Sequence, residues 1–279
     1  MQVAKIRYND IDAPAMFTDS LQKTGFGVIA DHPIHSELVD CVYREWESFF
    51  QSEKKHDYLF DPIKQDGYFP TGTENAKGYP IKDHKEFYHF YPWGRLPDTL
   101  TEATEELYES LVDMTSTLLE WVEKNTPEEV RSQFSEPLKN MISGSKTNLL
   151  RIIHYPPFSG KEDNRSLRAA AHEDINLITL LVAGTRPGLE AKDNNGTWHK
   201  ITTDPGTIIV NIGDMLKEAS GGYYPSTTHR VVNPEKGSNN DSRYSMPLFL
   251  HPRNEVVLSK EYTAENYLNE RLEEIGLKK

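Results

Sequence analysis

The second part of the chain consists of short segments rich in isoleucine, valine and threonine, and turn-forming residues follow each segment. The segments cover 148–155, 175–182, 188–192, 198–201, 207–212, 227–232 and 242–250. Turn residues such as Pro156-Pro157 and Gly221-Gly222 separate them. Short strands at regular spacing with turns between them are typical of a sandwich or barrel. This pattern therefore predicts a β-rich core over residues 146–252.

The first 145 residues follow a different pattern, in which apolar side chains recur every three or four residues. This spacing predicts helices over 13–22, 35–51, 107–122 and 127–141, one strand at 25–30, and a last helix from 263 to about 275. The pattern changes near Lys146 without a linker-like stretch. We therefore expect one domain over 1–279, with a mostly helical part at 1–145, the β core at 146–252 and a C-terminal helix within 253–279.

The charge balance limits the possible partners. Lysine and arginine number 31 against 43 acidic residues, which gives a net charge of −12. A negative field of this size repels phosphate backbones and anionic membranes, so we expect neither as a partner. The single cysteine, Cys41, excludes an internal disulfide framework. The first residues lack the apolar segment of a signal peptide, and we expect a cytoplasmic protein.

Two histidines and one aspartate predict a metal site. His172-Glu173-Asp174 opens one predicted strand, and His229 lies in another. Residues two apart on a strand point to the same face, so His172 and Asp174 project together while Glu173 points away. Two imidazoles and one carboxylate suit an octahedral ferrous ion and leave up to three coordination positions open. Open positions of this kind are what dioxygen and a co-substrate require.

A second pair of residues predicts a site for a carboxylate. Arg243 and Ser245 lie two residues apart in the last predicted strand, so they share a face. A guanidinium next to a hydroxyl is well suited to hold a carboxylate through several hydrogen bonds.

These residues lie in stretches that resemble the isopenicillin N synthase-like group of iron(II)/2-oxoglutarate-dependent oxygenases. The stretches, in the family's order, are TGFGVIADHPI (24–34), LLRIIHYPP (149–157), HEDINLITLLVAG (172–184), GTIIVNIGDMLKEASGG (206–222), STTHRVVNP (226–234) and RYSMPLFLHP (243–252). The resemblance implies a mainly β fold with flanking helices, namely the double-stranded β-helix or cupin-like jelly roll.

The resemblance also implies a set of roles. The residues that would bind Fe(II) are His172, Asp174 and His229. The residues that would hold the far carboxylate of 2-oxoglutarate, the co-substrate, are Arg243, Ser245 and Tyr155. The family often has asparagine two residues before this tyrosine, where the present chain has Ile153, so that polar contact is not expected here. The implied reaction is the oxidation by dioxygen, usually a hydroxylation, of a C–H bond in a small-molecule substrate, with release of succinate and CO2.

Other functions stay open on the residues alone. An isopenicillin N synthase-type oxidase shares the His-Glu-Asp and Arg-x-Ser patterns but uses no 2-oxoglutarate, and an ascorbate-using 1-aminocyclopropane-1-carboxylate oxidase is a further variant. A non-catalytic β-barrel binding protein would not need an open iron site. A zinc hydrolase would leave Arg243 and Ser245 without a role. Arg168 matches a position common in bacterial relatives and is a candidate for contact with the substrate.

The stretch 61–93 is rich in glycine, proline, tyrosine and lysine and shows no clean period. Long segments of this kind inside a compact domain are often functional. We hypothesise a lid over the iron, with Tyr88 or Phe90 touching the substrate; the alternative is a loop that only packs on the helices. Strand periodicity suggests Leu177, Ile209 and Phe249 as an apolar lining around the metal.

Overall fold

A computed structural model of the protein describes residues 1–73, 82–160, 167–234 and 240–274. The strands are β1 (Lys5–Arg7), β2 (Phe26–Ala30), β3 (Gly67–Phe69), β4 (Glu86–Phe90), β5 (Leu149–Tyr155), β6 (Ala169–His172), β7 (Ile178–Val182), β8 (Leu189–Lys192), β9 (Trp198–Lys200), β10 (Ile208–Ile212), β11 (His229–Val231) and β12 (Arg243–Leu250). The α-helices are α1 (Ala13–Thr24), α2 (Ser36–Gln51), α3 (Ala103–Asn125), α4 (Glu128–Arg131), α5 (Leu138–Ile142), α6 (Asp214–Ala219) and α7 (Ala264–Glu274). Ile275, the predicted end of the last helix, lies outside the described residues.

The strands form two sheets. The larger sheet has the order β1-β2-β10-β7-β12-β5-β4-β3, and the smaller has the order β6-β11-β8-β9. The core pairs, such as β12 with β5 and β12 with β7, are antiparallel. Strands from the first 145 residues and strands from 146–252 therefore share one sheet, although their sequence patterns differ. None of the described helices is both long enough and apolar enough to cross a membrane.

The two faces of the larger sheet have different neighbours. Leu150 and Leu248 belong to the main apolar cluster, which also contains the buried side chains of α1, α2 and α3. The opposite face meets the smaller sheet, where Ile153 packs with Val231. Successive side chains on a strand point to opposite faces, and Tyr155 lies directly opposite Arg243 in the β5–β12 pair. The sequence alternation thus places the predicted carboxylate-binding residues between the sheets.

The stretch 61–93 is not an irregular loop, contrary to the sequence-based expectation. It contains β3 and β4, and β4 pairs with β5 along its whole length. Tyr88 and Phe90 are fully buried against the helices, and the Tyr88 ring lies 4.9 Å from the Trp46 ring. The prediction that either residue touches the substrate is therefore wrong. The sequence did not predict this strand, because its five buried residues show no polar alternation and include no β-branched residue. Lys77 and Gly78, within the predicted lid, lie outside the described residues.

Two further predictions differ from the structure. The helix expected at 127–141 is divided into α4 and α5. Pro137 has no amide hydrogen and disfavours helical backbone at the residue before it, so a continuous helix cannot form there. The strand expected from 175 begins at Ile178, and β6 precedes it. The Ala-Ala-Ala-His sequence of β6 has none of the β-branched residues that signal a strand.

A buried polar network fixes the start of β4 on the helix side. One carboxylate oxygen of Glu86 accepts a hydrogen bond from His154 Nδ1 at 2.7 Å, and the other accepts one from Lys55 Nζ at 3.0 Å. The Tyr68 hydroxyl also donates to this carboxylate. Burial raises the pKa of Glu86, but the hydrogen bonds from His154, Tyr68 and Lys55 outweigh burial and hold the pKa below its usual value. His154, which the sequence analysis did not place in the site, thus has a structural role.

Candidate active site

The structure brings the three predicted metal ligands together. His172 ends β6 and His229 begins β11, and the two residues lie opposite each other in this antiparallel pair. Asp174 follows His172 in the irregular segment between β6 and β7. One ligand atom from each of the three side chains lies within 4.8 Å of the other two. Two nitrogen ligands and one oxygen ligand at this spacing suit a divalent first-row metal ion.

The physical reason for the position of Asp174 differs from the predicted one. Asp174 is not on a strand with His172, so strand alternation does not orient it. Its Oδ2 instead accepts hydrogen bonds from Thr179 Oγ1 at 2.6 Å and from Asn211 Nδ2 at 2.8 Å. These bonds leave Oδ1 at 3.8 Å from His172 Nε2 and 3.7 Å from His229 Nε2. Neighbouring strands of the larger sheet therefore aim the carboxylate at the imidazoles.

Backbone carbonyl groups set the tautomers of both imidazoles. His172 Nδ1 lies 2.8 Å from the carbonyl oxygen of Ala170, and His229 Nδ1 lies 3.1 Å from that of Thr227. A carbonyl oxygen can only accept, so each Nδ1 carries the proton and each Nε2 offers its lone pair towards Asp174. Burial and the neighbouring His229 lower the pKa of His172, which keeps it in the neutral form that binds metals. The donor set thus fits a metal ion.

A buried arginine begins β12, at one end of the inter-sheet space. Arg243 is 0% exposed, and its Nε donates to the carbonyl oxygen of Arg186 at 3.0 Å. Its guanidinium carbon lies 5.1 Å from the centre of the Tyr155 ring. Neither Nη1 nor Nη2 has a hydrogen-bond partner in the described parts of the chain. Buried donors and a buried charge are costly unless an anion pairs with them, so this end fits a carboxylate.

Two further residues lie next to Arg243 at this end. Ser245 is buried on the same face of β12 as Arg243. Gly184 lies against the guanidinium, and a Cβ atom there would be 3.0 Å from Arg243 Nη2 and 3.0 Å from the carbonyl oxygen of Tyr244. Such a contact is tighter than nearly all real Cβ contacts. Glycine at 184 therefore leaves room for the Arg243 guanidinium, which a side chain at this position would have to displace by a few tenths of an ångström.

Comparisons with known proteins agree with this geometry. Residues 146–252 match the family model of the 2OG-Fe(II) oxygenase superfamily, and residues 14–110 match the N-terminal model of the non-haem dioxygenases in morphine synthesis. A 2-oxoglutarate-dependent dioxygenase from Didymella fabae is 31% identical over 259 residues, which cover 81% of this chain and 75% of that protein. The chain belongs to the iron(II)/2-oxoglutarate-dependent oxygenases.

Two solved structures match nearly the full length of this chain. A candidate oxygenase from Shewanella oneidensis has a TM-score of 0.91 and 50% identity, with 99% of both chains covered. A candidate 2OG-Fe(II) oxygenase family protein from Caulobacter crescentus has a TM-score of 0.81 and 29% identity, with 98% of this chain and 99% of that chain covered. The jelly-roll fold and the dependence on Fe(II) and 2-oxoglutarate predicted from the sequence are confirmed. The protein is a 2-oxoglutarate/Fe(II)-dependent dioxygenase.

The oxygenase contains a cavity of about 780 Å³ that reaches His172 and Asp174, two of the three predicted metal ligands. This volume is within the usual range for a small-molecule site. Of the three apolar residues expected around the metal, only Phe249 lines the cavity. Leu177 packs in the cluster on the helix side, and Ile209 packs between the sheets. The prediction is therefore wrong for Leu177, which faces the helices, whereas Ile209 faces the inter-sheet space but does not line the described cavity.

A cationic side chain on the cavity wall was missed by the sequence analysis. Arg151 lines the cavity, and its Nε donates to His89 Nε2 at 2.9 Å. His89 Nδ1 in turn lies 2.9 Å from the carbonyl oxygen of Gln65 and donates to it. The guanidinium carbon lies 4.7 Å from the Phe87 ring centre and 5.4 Å from that of Phe249. Arg151 is therefore held in one orientation by a hydrogen bond and two aromatic rings.

Arg168 and His251 differ in their relation to the cavity. Arg168, a candidate for substrate contact, is 2% exposed and is not among the residues that line the described cavity. His251 lines the cavity, and burial lowers its pKa to about 4. The imidazole is therefore neutral at physiological pH. The position of Arg151 could have been predicted from the sequence. Arg151 lies four residues before Tyr155 on the same strand, so the two side chains point to the same face.

Proposed function

We propose that the oxygenase hydroxylates a C–H bond of a small organic molecule in the cavity beside the three clustered ligands. In this proposal His172, Asp174 and His229 hold the ferrous ion. Arg243, Ser245 and Tyr155 hold the far carboxylate of 2-oxoglutarate. The observation that carries the proposal is the pairing of a three-ligand cluster with a buried guanidinium whose two Nη atoms make no hydrogen bond within the described residues.

Ferrous ion and 2-oxoglutarate, when bound, would activate dioxygen, which oxidises 2-oxoglutarate to succinate and CO2 and also oxidises the substrate. The side chains of this protein supply placement. Thr179 and Asn211 hold the carboxylate of Asp174, while the carbonyl groups of residues 170 and 227 hold the imidazoles. Arg243 neutralises the charge that a dicarboxylate brings into a buried site.

The cavity wall indicates the chemistry of the substrate. Phe69, Phe87 and Phe249 offer aromatic surface, and Arg151 adds a cation whose orientation is fixed. We therefore expect a molecule with a flat or apolar body and a negatively polarised group. We place the reaction in the cytoplasm. The net charge of −12 disfavours a nucleic acid as the substrate.

The test measures succinate formation and metal binding in the same set of variants. We expect His172→Ala, Asp174→Ala and His229→Ala each to abolish iron-dependent turnover while circular dichroism shows an intact fold. Arg243→Met should weaken binding of 2-oxoglutarate and leave metal affinity near that of the wild type. Near-normal turnover in any ligand variant would refute the metal assignment. Unchanged 2-oxoglutarate affinity in Arg243→Met would refute the role of Arg243 in holding the co-substrate.

A further inference from the structure

A second arginine is buried near Arg243. Arg168 directly precedes β6 and is 2% exposed. Its backbone amide donates to Asn233 Oδ1 at 3.0 Å, and its Nη2 donates to the carbonyl oxygen of Asp241 at 2.8 Å. Its Nε is buried and has no hydrogen-bond partner in the described structure. The side chain is therefore held firmly but retains an unused donor.

A short chain of contacts joins the two arginines. Asp241, which accepts from Arg168 through its carbonyl oxygen, lies two residues before Arg243. The Asp241 carboxylate accepts from Arg186 Nη2 at 2.9 Å, and the Arg186 carbonyl oxygen accepts from Arg243 Nε at 3.0 Å. Tyr155 packs with Ala169, the residue after Arg168, and its ring also lies beside the Arg243 guanidinium. Arg168 and Arg243 thus border the same inter-sheet space.

The two guanidiniums affect each other electrostatically. Burial is the main cause that lowers the pKa of Arg168, to about 10, and the positive charge of Arg243 is the second. Neither arginine forms an ion pair with a carboxylate within residues 1–73, 82–160, 167–234 and 240–274. Two neighbouring buried cations without a counter-ion are unfavourable, and one carboxylate between them would relieve both the desolvation and the repulsion.

We propose that Arg168 is a second binding residue for the far carboxylate of 2-oxoglutarate, so that two guanidiniums hold this carboxylate instead of one. The inference rests on the role proposed above for Arg243. It differs from the sequence-based expectation, which placed Arg168 at the substrate. The alternative is a purely structural role, in which Arg168 only braces the turn at Asp241.

The experiment compares Arg168→Met, Arg168→Lys and Arg186→Met with the wild type. Arg186 is a matched control, because its side chain is 54% exposed and binds the carboxylate of the same Asp241. Binding of 2-oxoglutarate is measured by calorimetry with Mn(II) in place of iron. Binding of 2-oxopentanoate, which has the same chain length but no far carboxylate, is measured in parallel. Thermal unfolding is recorded for each variant without ligand.

We expect Arg168→Met to weaken 2-oxoglutarate binding by about 30-fold or more, as for the loss of one partner of a buried charged pair. Its affinities for Mn(II) and for 2-oxopentanoate should not change. Arg168→Lys should retain part of the affinity, because it keeps the charge but not the planar donors. Arg186→Met should bind 2-oxoglutarate like the wild type. Without ligand, Arg168→Met should unfold at the wild-type temperature or higher, because the repulsion from Arg243 is gone.

Two results would overturn the inference. One is an unchanged 2-oxoglutarate affinity together with a lower unfolding temperature of Arg168→Met, which is the signature of a structural brace. The other is an equal loss of affinity for 2-oxoglutarate and 2-oxopentanoate. If Arg168→Met binds normally while Arg243→Met does not, only the role of Arg168 fails. If both variants bind normally, the proposed co-substrate site itself is wrong.

Discussion

Replacing Thr179 with valine tests whether the hydrogen bonds to Asp174 set the metal affinity. The two side chains have nearly the same shape, so Thr179→Val removes the 2.6 Å bond to Asp174 Oδ2 with little change in packing. A hydrogen bond to a charged group contributes about 1.5–3 kcal/mol. Since about 1.4 kcal/mol corresponds to a factor of ten, metal affinity should fall by roughly 10- to 150-fold. Asn211 still donates to the same oxygen, so the site should survive.

The assay is an anaerobic titration of the apoprotein with Fe(II) or Mn(II), followed by turnover measured at saturating iron. We expect weaker metal binding but recovery of most of the turnover when iron is in excess. Thr115→Val is the matched control, because Thr115 is equally buried but donates to the carbonyl oxygen of Leu111 within α3. The control should lower stability by about 1 kcal/mol and leave metal affinity unchanged. A metal dissociation constant of Thr179→Val within threefold of the wild type would refute the reasoning.

Three other predictions address the carboxylate end, the polar network and the cavity. Gly184→Ala should weaken 2-oxoglutarate binding several-fold in calorimetry, because its Cβ would push on the Arg243 guanidinium, and metal affinity should not change. The lowered pKa of Glu86 means that its ionised form stabilises the fold above pH of about 4.5, and this stabilisation is lost as pH falls through the lowered pKa. Thermal unfolding of Glu86→Gln should therefore depend less on pH between 7 and 3 than that of the wild type, and equal slopes would contradict this. Arg151→Met should raise the KM for the substrate and leave 2-oxoglutarate affinity intact; an unchanged KM would remove Arg151 from substrate binding.

Strands with one polar and one apolar face, or with clear turns at both ends, could be predicted from the sequence. The strands β5, β10 and β12 lie within one or two residues of their predicted bounds. The sequence could not reveal β4, because Phe87 and Tyr88 are both buried, one on each side of the sheet. Burial on both faces removes polar alternation, and β10, which is buried in the same way, was predictable only from its β-branched residues and the turns beside it, whereas β4 has no β-branched residue.

The candidate site, too, could be predicted from the sequence only in part. The spacing of His172 and Asp174 in the sequence correctly predicted that the two side chains lie close together. Hydrogen bonds from Thr179 and Asn211, not strand geometry, orient the Asp174 carboxylate. The spacing of Arg243 and Ser245 was informative because both residues do lie on one strand. The position of Arg168 was not predictable, because it depends on how the ends of the two sheets meet.

The strand β4 connects the cavity wall to the helix layer, so changes in the helices can alter which substrates the oxygenase accepts. Its cavity-facing residues, such as Phe87, alternate with Tyr88, whose ring packs at 4.9 Å from Trp46 and 5.6 Å from Phe49 of α2. A substitution at Trp46 or Phe49 would change the packing around Tyr88. Because Tyr88 and Phe87 are neighbours on the same strand, it would also move Phe87 in the cavity wall. Libraries aimed at new substrates should therefore sample these interior helix positions together with the wall of the cavity.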